Sequence, residues 1–280
     1  MQSLAIAASV IKKEGDCMKE YHHWKEMLQE EPLYGCFVTY GLPDLAEYTA
    51  MLGFDFLLID NEHGVIEQKT MIDMIRASQC SGVPAIVRCT ENTYTNVQKA
   101  LDMGADGVQL TLVNTADDAR QAVALSNYPP EGKRGVAFLP RASAYGLVED
   151  KKTYMREANA SKLVSCQIET KEALNNLNEI LAVDGVDVFF IGPGDLSVSL
   201  GMSSNDKEFQ DIVRQTIEKI VKAGRIAGYY VGNADAAKQA AEWGARFLVT
   251  AITPYMTAGG RSFLKAVRGE EGEEGIRDIY

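Results

Sequence analysis

Histidine is scarce in this chain, cysteine is unpaired by spacing, and no apolar run is long. The three histidines, His22, His23 and His63, are too few for a histidine-rich metal cluster. Cys17, Cys36, Cys80, Cys89 and Cys166 are an odd set with no CxxC pair. That argues against a disulfide framework and fits reduced thiols in a cytoplasmic enzyme. No segment approaches the ~20 apolar residues needed to span a bilayer, so a membrane partner is not expected. The apolar stretch near the N-terminus lacks the basic segment that opens a secretion signal. No GxGxxG or Walker-type loop follows the first strand candidate, which removes the common nucleotide cradles. Positive charge is also in short supply, with 28 Lys and Arg against 39 Asp and Glu and a net charge of −11. Nucleic acid and anionic membranes need basic patches, so neither is an expected partner.

What is present is ordinary globular material: 280 residues, 46% hydrophobic and 24% charged, enough to bury a large core. From residue 34 onward, short β-rich runs alternate with longer amphipathic stretches, the pattern of repeated βα units. Strands are expected at 34–40, 54–60, 84–89, 107–112, 162–168, 186–192, 225–231 and 245–251. Amphipathic stretches such as EQKTMIDMIRASQ and FQDIVRQTIEKIVKAG lie between them, and Gly-containing turns feed several strands. An open doubly wound sheet could use the same units. The repeat count of eight and the missing phosphate loop favour a closed (β/α)8 barrel of the α/β class, in a single domain over residues 31–268. Residues 1–30 read as an extension of helical character, in which Met18 offers an alternative start, and residues 269–280 as an acidic tail. Residues 126–161 interrupt the rhythm as a long insertion, of a kind that is usually functional or mobile.

In such a barrel the chemistry sits at the C-terminal ends of the strands. The second strand ends in Asp60 and turns through Asn61-Glu62-His63, and the third ends near Arg88. The fifth ends in Gln167-Ile168-Glu169, and the sixth runs into Gly192-Pro193-Gly194-Asp195. Glu169 and Asp195 are one βα unit apart, which places their carboxylates on neighbouring strands. Two anions held so close need a cation or a shared proton, and a hard divalent ion suits them. Alternatively either could cap the helix that follows it, before TKEAL or LSVSL. His63 is placed for proton transfer, with Asp60 three residues earlier able to orient its imidazole. Arg88 could steady a developing enolate or carboxylate, or form a rim ion pair. The sequence Gly192-Pro193-Gly194-Asp195-Leu196 reads as an anion cradle, where backbone N–H groups approach a carboxylate. Lys162 begins its strand and no other strand ends in lysine, so imine catalysis is not expected. A metal-stabilised enolate is the remaining way to hold a carbanion beside a carbonyl.

The motifs FDFLLIDNEH, LDMGADGV, YPPEGKRGV, the Gln167-Ile168-Glu169 triplet and FFIGPGDLSVSLG, in this order, resemble the HpcH/HpaI-type aldolases, metal-dependent pyruvate aldolases related to the citrate lyase β-like proteins. The resemblance covers about residues 34–265. It implies a pyruvate/phosphoenolpyruvate-type barrel. It further implies that Glu169 and Asp195 ligate Mg²⁺ or Mn²⁺, with Co²⁺ as a further candidate, that His63 is the acid/base residue and that Arg88 stabilises the transition state. Gln167 and the backbone of Gly194 and Asp195 would contact a 2-oxo acid. Asp102 matches an acidic position that raises the basicity of the histidine. From the bottom of its own barrel it would reach a His63 only in a neighbouring subunit, which fits the hexamers (trimers of dimers) of the family. Three positions depart from the usual pattern: Phe37 replaces a tryptophan, Thr111 a proline, and Tyr230 a leucine on the pocket wall. The implied activity is cleavage of a 4-hydroxy-2-oxo acid to pyruvate or a related 2-oxo acid plus an aldehyde through a metal enolate. Oxaloacetate decarboxylation or thioester cleavage through the same enolate is an alternative, and a non-catalytic 2-oxo acid binding protein is another.

Overall fold

Eight short segments of this chain are apolar on both faces, and they close a cylinder. A computed structural model describes residues 24–269, so the helical character expected for the first residues, Met18, and the acidic tail lie outside the described residues. The strands are β1 (Leu33–Val38), β2 (Phe56–Asp60), β3 (Ala85–Arg88), β4 (Gly107–Leu110), β5 (Leu163–Ile168), β6 (Val188–Ile191), β7 (Ile226–Tyr230) and β8 (Phe247–Ala251). Each pairs in parallel with its sequence neighbours, and β1 pairs with β8 to complete a closed (β/α)8 barrel. Every expected strand is present with shifted ends, mostly trimmed, though β1 begins one residue earlier than expected.

Strand parity divides the core into two layers, because alternate side chains point to opposite faces. Phe37, Phe56, Leu58, Ile86, Leu163, Val188, Phe190, Phe247 and Val249 point inward and pack as one cluster. Leu57, Ile59, Val87, Val108, Val164, Phe189, Ile191 and Leu248 point outward and pack against the helices. At the floor, Phe56 stacks on Phe247 with ring centroids 4.2 Å apart, and Trp24 closes over Phe56 at 6.0 Å. Gly35 makes room for this stack, since a Cβ there would lie 2.1 Å from the Phe56 ring. Trp24, in the short helix α1 (Trp24–Met27), and Leu28 are both buried, so residues 24–28 belong physically to the barrel floor.

The outer helices are α2 (Pro43–Met51), α3 (Gln68–Cys80), α4 (Tyr94–Asp102), α5 (Ala116–Ser126), α6 (Lys151–Ser161), α7 (Lys171–Asn175), α8 (Leu177–Leu181), α9 (Pro193–Leu200), α10 (Lys207–Lys222), α11 (Ala234–Glu242) and α12 (Ile252–Arg268). The insertion expected as a loop carries α6 and a 3₁₀ turn at Arg141–Gly146. Its sequence, KKTYMREANAS, buries only Ala158, so it lacks the apolar period that reveals a helix. Arg134 staples the insertion to the barrel. It is buried, lies 4.4 Å over the Tyr128 ring, and donates to Asp102 at the end of α4 at 2.9 Å. No helix among the described residues is long and apolar enough to cross a membrane.

Candidate active site

The inward-facing positions turn from apolar to polar as the strands rise, and this gradient builds the site. On β2 the inward set runs Phe56, Leu58, Asp60; on β3 it runs Ile86, Arg88. Asp60 and Arg88 are register partners, so their side chains meet. On β5 the set runs Leu163, Ser165, Gln167 and continues to Glu169; on β6 it runs Val188, Phe190 and continues to Gly192. The pleat that makes a packed lower core delivers the polar residues to the upper rim.

One cleft of about 420 Å³, counting its open mouth, is lined by Phe37, His63, Arg88, Gln167, Gly194 and Asp195, with Phe190, Gly192, Pro193 and Tyr230 completing the wall. The structure therefore brings together most of the residues singled out from the sequence. No lysine lines this cleft; Lys162 sits at the opposite end of β5, 3.5 Å from Asp106. Phe37 supports Arg88, whose guanidinium carbon lies 4.7 Å from the ring centroid, and it also lies 6.5 Å from the ring of Tyr230.

Glu169 lies just behind the lining and is 2% exposed. One oxygen accepts the Leu112 N–H at 2.7 Å, and Leu112 holds that N–H in place from a left-handed conformation with φ 52°. Burial, reinforced by the charge of Asp195, pushes the Glu169 carboxyl up to about 7, against the Leu112 hydrogen bond. A Cβ added at Gly192 would lie 2.9 Å from a Glu169 oxygen and 3.2 Å from the Gln167 amide nitrogen, so only glycine leaves this corner open. The Gln167 Oε1 is buried there with no hydrogen-bond partner. The alternative that these carboxylates cap helices does not hold. Thr170 caps α7 through the Ala173 N–H at 3.0 Å, and Asp195 sits within the first turn of α9, which has no side-chain cap.

Two expected placements, those of Asp60 and Thr111, are corrected by the geometry. Asp60 does not orient the His63 imidazole. One oxygen accepts from Arg88 Nε at 3.0 Å and from the backbone N–H groups of Glu62 and His63 at 3.2 Å; the other meets Arg88 Nη2 at 2.8 Å and the Thr39 hydroxyl at 3.3 Å. Burial alone would raise its carboxyl, but the Arg88 hydrogen bond and charge outweigh it and hold the group below the usual aspartate range. Thr111 is not on the cleft wall: it is buried, and its peptide is clamped at both ends by the Asn92 side chain. Asp102 lies away from the cleft, in the ion pair with buried Arg134, because α4 ends at the barrel floor.

The residue that the sequence reading quoted but did not use is Glu62. Its Oε2 lies 3.2 Å from Arg88 Nη1 and 3.8 Å from His63 Nε2. Burial raises its carboxyl, opposed by the charges of Arg88 and His63. Its position inside the DNEH turn, between two residues already singled out, was the available signal.

Known proteins resemble this chain in sequence and in fold. The HpcH/HpaI aldolase/citrate lyase family matches residues 33–255. A 2-keto-3-deoxy-L-rhamnonate aldolase of Escherichia coli (strain UMN026) is 37% identical over 233 residues, which is 82% of this chain and 86% of that protein. The crystal structure of a family member from Burkholderia cenocepacia J2315 is 32% identical, with a TM-score of 0.82, over 88% of this chain and 99% of that one. The HpcH/HpaI aldolase from Desulfitobacterium hafniense DCB-2 is 25% identical, with a TM-score of 0.82, over 90% and 98% of the two chains. The chain therefore belongs to the HpcH/HpaI aldolase/citrate lyase family and is an enzyme of carbon–carbon bond cleavage and formation.

Proposed function

We propose that the chain is a divalent-metal-dependent aldolase that cleaves a 4-hydroxy-2-oxo acid to pyruvate, or a close 2-oxo acid, and an aldehyde, and also runs in reverse. The observation that carries the reading is Glu169, buried and pressed toward a neutral pKa beside Asp195, at a corner that opens past Gly192 into the cleft of His63, Arg88 and Gln167. The donor set fits a hard divalent ion. Two carboxylates in a partly desolvated corner are stabilised by a cation, and the unpartnered Gln167 oxygen awaits a polar ligand at the same place. Glu169 and Asp195 would hold Mg²⁺ or Mn²⁺, with Co²⁺ as a further candidate, and waters and substrate would complete the shell. Among the described residues no group of three or more His, Cys, Asp or Glu gathers as a metal cluster. When bound, such an ion supplies Lewis-acid stabilisation of negative charge on the 2-oxo acid.

The chain's own groups supply the rest. The N–H groups of Gly194 and Asp195 lie in the first turn of α9, where they have no intrahelical partner and can receive the substrate carboxylate. Gln167 and Arg88 orient the keto group, and Arg88 opposes the charge that develops during bond cleavage. His63, at the mouth of the cleft, moves the proton to and from the hydroxyl that becomes the aldehyde. The aromatic wall of Phe37, Phe190 and Tyr230 limits the donor side to a small 2-oxo acid. Sugar-derived 2-keto-3-deoxy acids are the first substrates to test, given the activity named for the Escherichia coli relative.

Two further expectations belong to this reading. A cytoplasmic setting suits the free thiols of Cys36, Cys80, Cys89 and Cys166. A homo-oligomer, hexameric as the resemblance implies, is supported by α12, which buries only Ile252 and Pro254 and leaves Met256, Phe263, Leu264 and Val267 exposed along one side.

The test is direct. Purified protein with Mn²⁺ is expected to release pyruvate from at least one 4-hydroxy-2-oxo acid of a panel. It should also exchange the methyl protons of pyruvate with solvent deuterium, and lose both activities on chelation. His63→Ala should lower turnover by about 10²–10⁴-fold. Absence of both turnover and exchange with metal present would sink the proposal.

A further inference from the structure

Among the described residues, three that carry a Cβ adopt a left-handed backbone, and two of them, Ala144 and Tyr145, belong to the 3₁₀ turn of the insertion. The third, Leu112, lies on the rim after β4 with φ 52°. A residue of this bulk disfavours that conformation, so something must hold it there. Burial does not, since Leu112 is 56% exposed. Hydrogen bonds do. Asn92, on the loop between β3 and α4, accepts the Thr111 N–H at 3.2 Å and donates its side-chain amide to the Thr111 carbonyl. Gln121 on α5 ties down Asn92 in turn, donating to its carbonyl at 3.4 Å. Beyond Leu112, the Val113 N–H donates to the Gln167 carbonyl at 3.3 Å, and Asn176 donates to the Asn114 carbonyl at 2.9 Å. The Thr111 carbonyl and the Leu112 N–H belong to one planar trans peptide and point in opposite directions. Asn92 holds one side of that plane, so the other side faces Glu169, whose Oε1 accepts the Leu112 N–H at 2.7 Å. The second oxygen, Oε2, is the atom that a Cβ at Gly192 would meet at 2.9 Å, so it faces the corner that opens into the cleft.

We propose that Asn92 is a positioning residue: by holding the peptide between Thr111 and Leu112 against its relaxed orientation, it aims the Leu112 N–H at Glu169 Oε1 and leaves Oε2 to the Gly192 corner. The consequence for a divalent ion rests on the proposed function above; the brace itself does not. Without Asn92, turning this peptide by about half a turn would bring Leu112 to an ordinary negative φ. The turn would also withdraw the donor from Glu169 and swing the Thr111 carbonyl toward a buried carboxylate. Glycine populates the left-handed region as readily as the right-handed one, so at position 112 it removes the reason to turn. Leu112→Gly should therefore repair Asn92→Ala. A tie that merely joined the two loops would not be repaired in this way.

The test uses the full chain, with Mn²⁺ alone as the probe. In titration calorimetry, Asn92→Ala is expected to bind Mn²⁺ about 10-fold more weakly than wild type. Leu112→Gly alone should stay within about 3-fold of wild type, and the double variant should return to within about 3-fold. Amide hydrogen exchange supplies a readout that needs no metal. In metal-free protein labelled with ¹⁵N-leucine, the Leu112 amide is identified by its disappearance in Leu112→Gly. It should exchange at least about 10-fold faster in Asn92→Ala than in wild type. If Asn92→Ala does not fold, Asn92→Asp takes its place, because it keeps the acceptor for the Thr111 N–H and removes the donor to the carbonyl. Unchanged Leu112 exchange overturns the proposal, as does Mn²⁺ binding that is either unaffected or not repaired by Leu112→Gly. Wild-type protein that binds no Mn²⁺, while Leu112 exchange still accelerates in the variant, would retain the brace and discard the metal reading.

Discussion

Asp60 and Arg88 show how a buried charge is used in this protein. Their side chains are 2% and 9% exposed, and the guanidinium meets both carboxylate oxygens through Nε and Nη2. A fork of this kind repays desolvation only while both partners are charged. Asp60→Asn should therefore destabilise the fold by about 3 kcal/mol, because it leaves the Arg88 cation buried without that counter-charge. The Asp60 carboxyl is held below its unfolded value, so its contribution is present above the unfolded pKa, about 3.9, and is lost as pH falls through the lower folded value. Urea unfolding of wild type and Asp60→Asn across the acid range checks this. The gap between them should be constant near neutrality and close at low pH; a gap that stays flat throughout would contradict the assignment.

At the level of elements, the turn from β6 into α9 carries the tightest constraint. Gly192 enters α9 with φ −91° and ψ 99°, a conformation open to any residue, so backbone strain does not demand glycine there. Space does, because a Cβ would press on Glu169 and Gln167. Gly192→Ala should consequently fold and melt much like wild type while binding Mn²⁺ about 10–100-fold more weakly, since it displaces the carboxylate rather than removing it. Titration calorimetry beside a thermal melt separates the two effects, and unchanged Mn²⁺ affinity would show that the corner has slack. Element boundaries elsewhere followed apolar period where there was one. The eight strands could be read because each is buried on both faces; α6 could not, because its polar sequence buries one alanine.

For the whole molecule, the exposed face of α12 is the feature that a lone barrel does not explain. Met256, Phe263, Leu264 and Val267 recur at helical spacing on a segment that touches the barrel only at its start, and Phe263 is 67% exposed. A second copy of this chain is the occupant proposed. Phe263→Asp combined with Val267→Asp should reduce the assembly seen by analytical ultracentrifugation while the far-ultraviolet spectrum is kept. Wild-type protein sedimenting as a monomer at micromolar concentration would remove the oligomer from the reading. Asp102, paired here with Arg134, would reach a partner's site only within such an assembly.

The sequence alone determined the barrel, because eight βα units with doubly buried strands leave few other closures. It also determined the chemical character of the rim, since strand-end positions carry Asp60, Arg88, Gln167, Glu169 and Asp195 while lysine is missing from them. Those inferences needed only local patterns and the rule that successive side chains alternate faces. What the sequence could not settle is which polar group answers which. Asp60 lies three residues from His63 along the chain, yet the parallel register of β2 and β3 sends it to the guanidinium of Arg88. Likewise Thr111 looked like pocket wall until Asn92, 19 positions away, fixed its peptide. Such pairings are contacts between separate loops. Their energy depends on distances of a few ångströms set by packing, which no local pattern in the chain encodes.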